Sequence, residues 1–237
     1  RAIVLELALK TRSIMDISTF GSGNMARVIG GAFASVGHRV MIGSRDPEKA
    51  SSVANEIGLN TIGGSNDDAA DFGEVIIHTV RAKPSVFLAS TSKLRQKIIV
   101  DVNNRDFPRK LDEEPLFPSL IRQSQEDAPD ARFVKCFNTL AMEVFHHEAE
   151  ILRTFGVSVF VAGADENARQ TVSTLAREIG FEPIDLGGPE NADIVEIQGD
   201  FIRTAIFGHQ NPLLTSQIRE IPAPSKLRFG KRRPGTY

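Results

Sequence analysis

Six consecutive residues of this 237-residue chain have the types and spacing to hold a pyrophosphate: Gly21-Ser22-Gly23-Asn24-Met25-Ala26, a G-x-G-x-x-A pattern. Gly21 permits a tight turn, Gly23 lets the backbone approach phosphate oxygens, and Ala26 allows a following helix to sit close to a sheet. Such a helix turns its free N–H groups and the positive end of its dipole toward the anion. Six residues alone are a weak signal. Placed after an apolar run and before an amphipathic one, they predict a dinucleotide site.

A second strand-like run ends at Gly43-Ser44-Arg45. A carboxylate here would accept hydrogen bonds from the ribose hydroxyls of NAD and repel a 2′-phosphate. The Ser44 hydroxyl and Arg45 guanidinium instead donate to a phosphate and neutralise it, so NADP(H) is expected. Asp46 precedes Pro47 and reads as a helix cap.

These motifs must be held by alternating strands and helices. Ile14–Phe20 reads as a strand, Asn24–Val36 as a helix and His38–Ile42 as a strand, followed by a helix from Pro47 to Ile57. Val75–Val80 is a strand, Pro84–Leu94 a helix and Ile98–Val102 a strand. Asn103–Pro118 is a long loop, and Ser119–Glu126 a helix. Phe133–Phe137, Val157–Ala162 and Glu182–Leu186 are strands, with a helix over Glu166–Ile179. Ile194, Ile197, Phe201 and Ala205 recur at helical spacing. The fold class is therefore α/β, a Rossmann-type doubly wound parallel sheet with a short C-terminal helical extension and tail. Residues 1–14 are set aside as an extension, 15–208 form the NADP-binding domain, and 209–237 a basic tail.

Composition narrows the partners. Hydrophobic residues at 41% and charged residues at 24% suit a chain with a packed core. A net charge of −2 gives no field for nucleic acid, and no apolar run reaches the length of a membrane span. One cysteine, Cys136, allows no internal disulfide and suits a reducing cytoplasm. It sits in an apolar run and reads as a packed thiol. His146 and His147 are adjacent and diverge, so no metal site is expected. Lys226, Arg228, Lys231, Arg232 and Arg233 make a solvated basic run with only Phe229 and Tyr237 interleaved.

Three stretches, Gly21-Ser22-Gly23-Asn24-Met25-Ala26, Ile42-Gly43-Ser44-Arg45-Asp46 and Phe137-Asn138-Thr139, resemble the F420-dependent NADP oxidoreductases. The oxidoreductase domain of the STEAP metalloreductases shares them, and the likeness runs from about Met15 to Gly208. The resemblance implies hydride transfer between NADP(H) and a small-molecule redox acceptor, a deazaflavin (coenzyme F420) in one group and FMN or FAD in the other. It further implies that Thr79, Val80, Arg81, Asn103, Asn138 and Thr139 lie around the nicotinamide, alongside Gly21, Ser22, Gly23, Asn24, Met25, Ser44 and Arg45 on the rest of the cofactor. No catalytic side chain is required, because hydride passes directly between stacked rings.

Two rivals stand beside this reading. An NADPH-dependent imine or carbonyl reductase of the pyrroline-carboxylate type needs a further helical domain, for which the 48 residues after Pro189 are too few. A module that senses NADP(H) without turnover would carry the same glycine loop. The apolar face at Ile194, Ile197, Phe201 and Ala205, with Ile202 and Ile206 beside it, is expected to pair across a two-fold axis in a homodimer, with the basic tail over the acceptor.

Overall fold

The computed structural model describes residues 13–104 and 119–220. The eight strands of the sheet are β1 (Asp16–Phe20), β2 (Arg39–Ser44), β3 (Ile62–Ser65), β4 (Val75–His78), β5 (Ile98–Asp101), β6 (Arg132–Lys135), β7 (Ser158–Gly163) and β8 (Glu182–Asp185), in the order β3-β2-β1-β4-β5-β6-β7-β8. The helices are α1 (Asn24–Ser35), α2 (Pro47–Ile57), α3 (Asn66–Phe72), α4 (Leu120–Asp127), α5 (Ala149–Phe155), α6 (Glu166–Glu178) and α7 (Ala192–His209). The order reverses between β1 and β4, the switch point at which open α/β sheets bind ligands beyond their carboxyl ends.

Strands buried on both faces read as continuous apolar runs. In β4, Val75 and Ile77 join the core beneath α1 and α2 while Ile76 joins the core on the opposite face, and Ile98, Ile99 and Val100 of β5 divide the same way. Edge-on aromatic contacts run from Phe33 of α1 through Phe137 and Phe145 to Phe181, at 6.3, 6.0 and 5.3 Å between centroids. On this face the two halves of the sheet thus share one core.

Three expectations change. The sheet is not wholly parallel: β6 and β7 pair antiparallel, through Val134 with Gly163 and Lys135 with Ala162. The helix expected over Pro84–Leu94 is two short 3₁₀ turns, Pro84–Val86 and Thr91–Leu94. Carboxylates from neighbouring helices hold this segment out of helix, Asp127 taking the Ser85 amide at 2.6 Å and Asp67 the Ala89 amide at 3.2 Å. His146 closes a 3₁₀ turn, Met142–His146, rather than lying on an α-helix. α7 buries Val195, Glu196, Gly199, Asp200 and Ile202 and leaves Ile194, Ile197 and Phe201, on the face expected to pair, exposed at 56%, 52% and 65%.

After α7 the chain turns back to β7. The Ser216 carbonyl accepts from the Ser158 amide at 2.9 Å, and the Ser158 hydroxyl accepts from the Ile218 amide at 2.9 Å. Residues up to 220 are therefore docked rather than a free tail. The five cations of the basic run and the Asn103–Pro118 loop beyond Asn104 lie outside the described residues, as do residues 1–12. Among the described residues no helix is long and apolar enough to cross a membrane.

Candidate functional site

β1 ends in the core at Phe20, and the chain leaves it through Gly21 at φ +94°, a left-handed conformation that side chains disfavour. A Cβ here would lie 2.8 Å from Thr79 Oγ1, which itself donates to the Phe20 carbonyl at 2.7 Å. Thr79 therefore braces the turn from the neighbouring strand. Gly23 is the N-cap of α1, and no side chain caps that helix, whereas Asp46, Ser65 and Asp165 cap α2, α3 and α6. The first amides of α1, at Asn24 and Met25, are left for an external acceptor. A Cβ built on Gly23 meets nothing within 4 Å. The loop opens into free space at the position where a phosphate belongs.

That space is a cavity of about 420 Å³ lined by Gly21, Ser22, Gly23, Ser44, Arg45 and Lys49, and closed on the far side by Asn66, Val80, Arg81, Ala82, Val86 and Phe87. Ser22 donates to Ser44 at 3.2 Å, and Ser44 also accepts from the Asp46 amide at 3.2 Å. Asp46 caps α2 by accepting from the Glu48 and Lys49 amides, at 3.1 and 3.2 Å, so its carboxylate serves the helix and does not stand in for the acid of an NAD site. Lys49, absent from the expected set, stands in the first turn of α2. Its position four residues after Arg45, just past the cap, was the available signal. Neither Arg45 nor Lys49 forms an ion pair among the described residues. An uncapped helix, an open glycine mouth and two such cations fit a dinucleotide carrying a 2′-phosphate.

The cavity thus gathers Gly21, Ser22, Gly23, Ser44, Arg45, Val80 and Arg81 of the expected residues. Asn103, Asn138 and Thr139 stand apart from it, buried at the ends of β5 and β6. The Asn103 amide group donates to the His78 carbonyl at 3.0 Å, to that of Val80 at 3.3 Å and to Asp101 Oδ1 at 2.8 Å. It joins the loops after β4 and β5. Asn138 Nδ2 donates to Asn104 Oδ1 at 2.8 Å and to the Val195 carbonyl at 3.0 Å. Asn138 Oδ1 and Thr139 Oγ1 are buried without a hydrogen-bond partner among the described residues, acceptor and donor capacity suited to a polar ligand group.

Beneath these loops lies a charged cluster that the sequence did not disclose. Lys135, fully buried, reaches Asp101 Oδ2 at 2.7 Å, Glu196 Oε1 at 2.8 Å and the Asn103 carbonyl. Burial alone would lower the Lys135 pKa, but the two carboxylates hold it above the ordinary lysine value. Burial likewise favours a protonated Asp101, and Lys135 beside it holds the carboxyl below its ordinary value. The His78 pKa is pushed down by burial against the weaker pull of Asp101, 3.7 Å away, and its Nε2 bonds the Ala82 carbonyl at 3.0 Å. Lys135 read in sequence as one cation within an apolar strand, which gives no signal of such partners.

Residues 16–105 match the family described as NADP oxidoreductase, coenzyme F420-dependent. The chain is 28% identical over 206 residues to the F420-dependent NADP reductase of Methanothermobacter thermautotrophicus, covering 77% of this chain and 85% of that protein. It is 28% identical over 196 residues to the metalloreductase STEAP3 of Rattus norvegicus, covering 80% of this chain but only 37% of that longer protein. A solved structure described as an F420-dependent NADP reductase, from Arthrobacter sp. FB24, superposes with a TM-score of 0.74 at 27% identity, covering 87% of this chain and all of that one. The imine reductase of Myxococcus stipitatus, at 15% identity and a TM-score of 0.61, shares the fold alone. With a Rossmann-type sheet and its glycine loop in hand, these relations make the chain similar, through residues 16–105, to the coenzyme F420-dependent NADP oxidoreductases.

Proposed function

We propose that this chain transfers hydride between NADP(H) and the planar ring of a deazaflavin, coenzyme F420, held at the carboxyl ends of β4, β5 and β6. The carrying observation is the single cavity that joins the open Gly23 mouth to Ser44, Arg45 and Lys49. When bound, NADPH supplies a hydride and leaves its nicotinamide as a cation. The protein's share is positional. The amides of α1 take the pyrophosphate, Arg45 and Lys49 the 2′-phosphate, and the loops after β4, β5 and β6 hold the nicotinamide end while Val80, Val86 and Phe87 exclude water.

The likeness to the metalloreductase STEAP3 covers nearly the same share of this chain as the likeness to the archaeal reductase, and it supports a metal-reducing alternative, for which we propose FMN or FAD as the acceptor. NADPH oxidation measured in parallel with coenzyme F420, FMN, FAD and ferric chelates separates the two. Turnover with F420 alone is expected, and turnover with flavin or ferric chelate alone overturns the deazaflavin assignment. Binding of NADPH without turnover on any acceptor would favour a sensing module.

The same reading makes the chain a homodimer through the exposed stripe of Ile194, Ile197 and Phe201 on α7, since an apolar helix face of this width is seldom left to water. Light scattering is expected to give twice the chain mass, and a monomer mass overturns it.

A further inference from the structure

Asn66, in the wall of the dinucleotide cavity, is a polar side chain that the fold has buried and left half used. It opens α3 and is only 3% exposed. The start of this helix is held in place, because Ser65 and Asp68 close a capping box around it and the Ser18 hydroxyl of β1 donates to the Ala69 carbonyl at 2.7 Å. From there the side chain crosses over β2 to the end of β1, where its Oδ1 accepts from the Gly21 amide at 3.3 Å. The crossing needs Gly43. A Cβ at that position would stand 3.0 Å from Asn66 Oδ1 and 2.5 Å from the Thr19 carbonyl oxygen. Since the Gly21 N–H requires an acceptor, this bond fixes which end of the Asn66 amide is oxygen, and Nδ2 at the other end carries two donor hydrogens. That nitrogen makes no hydrogen bond among the described residues and is free for a ligand that enters the cavity.

The place of this donor selects its partner. On one side of Asn66 lies the Gly21–Gly23 loop with the uncapped start of α1, assigned above to the pyrophosphate. On the other side, next to Gly43, lie Ser44 and Arg45 at the end of β2, assigned to the 2′-phosphate. The adenosine ribose joins these two groups through its 5′ and 2′ positions and must therefore pass between them. Its 2′ oxygen is esterified in NADP(H), which leaves the 3′-hydroxyl as the single hydroxyl of that sugar. We propose that Asn66 Nδ2 donates to this 3′-hydroxyl. Asn66 is then a dinucleotide-binding residue with two duties, its oxygen setting the glycine loop and its nitrogen holding the adenosine ribose. The inference rests on the dinucleotide reading above, and it adds a contact from the β3–α3 junction, a part of the chain where the sequence offered no site residue.

Calorimetry on the intact chain with 2′,5′-ADP and with 3′-deoxyadenosine 2′,5′-bisphosphate, the same fragment without the hydroxyl, tests it. The unmodified chain is expected to bind 2′,5′-ADP roughly fivefold more tightly than the deoxy ligand, the scale of one neutral hydrogen bond. In Asn66→Leu, which keeps the side-chain volume and removes both polar ends, 2′,5′-ADP is expected to weaken until the two ligands bind alike. Asn66→Ala is expected to erase the difference in the same way. Loss of the brace on Gly21 weakens both ligands equally, so the difference between them reports the contact with the hydroxyl alone. Equal affinity of the two ligands for the unmodified chain, a comparison that needs no variant to fold, overturns the inference. So does a difference that survives undiminished in either variant. Failure of the unmodified chain to bind 2′,5′-ADP at all overturns the dinucleotide reading itself, and this inference with it.

Discussion

Gly21 and Gly23 are two residues apart in one loop, yet their substitution is expected to fail in opposite ways. At Gly21 an alanine must adopt φ +94°, and its Cβ would press on Thr79 Oγ1 at 2.8 Å and Val80 Cγ2 at 3.2 Å. The strained backbone costs about 1–3 kcal/mol. Thr79 can yield only by giving up its bond to the Phe20 carbonyl, worth about 1 kcal/mol. Gly21→Ala should therefore lose about 2–4 kcal/mol and lower the Tm by about 5–15 °C for a chain of this length. Gly23 has φ −80° and ψ −175°, open to any residue, and its Cβ meets nothing. For Gly23→Val the poorer N-cap is offset by reduced freedom of the unfolded chain, leaving stability within about 1 kcal/mol. The branched side chain would occupy the mouth that the pyrophosphate needs. Thermal unfolding and NADP⁺ calorimetry on both variants make the test. A Gly23→Val protein that binds NADP⁺ normally, or that melts lower than Gly21→Ala, would refute the reasoning.

Arg45→Ala and Lys49→Ala should each weaken NADPH by about 1–3 kcal/mol and leave NADH nearly unchanged, as measured by titration with both cofactors. Asp46→Ala should cost about 1 kcal/mol of stability in chemical unfolding through loss of the α2 cap, with the preference for NADPH over NADH retained. Partial burial would raise the Asp127 pKa, but the Ser85 hydroxyl and amide, each at 2.6 Å, together with Lys83 hold it below the ordinary carboxylate value. A folded-state pKa below the unfolded one contributes stability above the unfolded value and loses it as pH falls through the folded one. Urea midpoints measured below about pH 4 should therefore fall more steeply for the unmodified chain than for Asp127→Asn. Burial pushes the Cys136 thiol well above the ordinary range, so a thiol reagent at pH 8 should label it only after denaturant is added.

What the sequence disclosed was local. The glycine loop, the Ser44-Arg45 pair and the Asp46–Pro47 start of α2 each depend on neighbours within a few residues, and each stands where it was read. β3 escaped because it is four residues long and half glycine. Gly63 is needed there for a close approach, since a Cβ on it would lie 2.3 Å from the Ser51 amide nitrogen of α2. The helix expected over Pro84–Leu94 had acceptable periodicity, but its carboxylate tethers come from Asp67 and Asp127, 22 and 42 residues away. The same distance hid the Lys135 cluster, whose partners lie 34 and 61 residues off. The apolar stripe of α7 at Ile194, Ile197 and Phe201 was legible from its spacing and stands exposed, but the buried Glu196 on the opposite face gave no signal, because its partners Lys135 and Ser119 come from elsewhere in the chain.

α7 thus presents two different surfaces. Its inner face buries Ala192, Val195 and Ile202 and adds directional bonds through Glu196, Val195 and Gln198. Its outer face turns Ile194, Ile197 and Phe201 to solvent. The residues that anchor the helix are therefore not the residues it shows, so its outer stripe can change without disturbing the charged interior it covers.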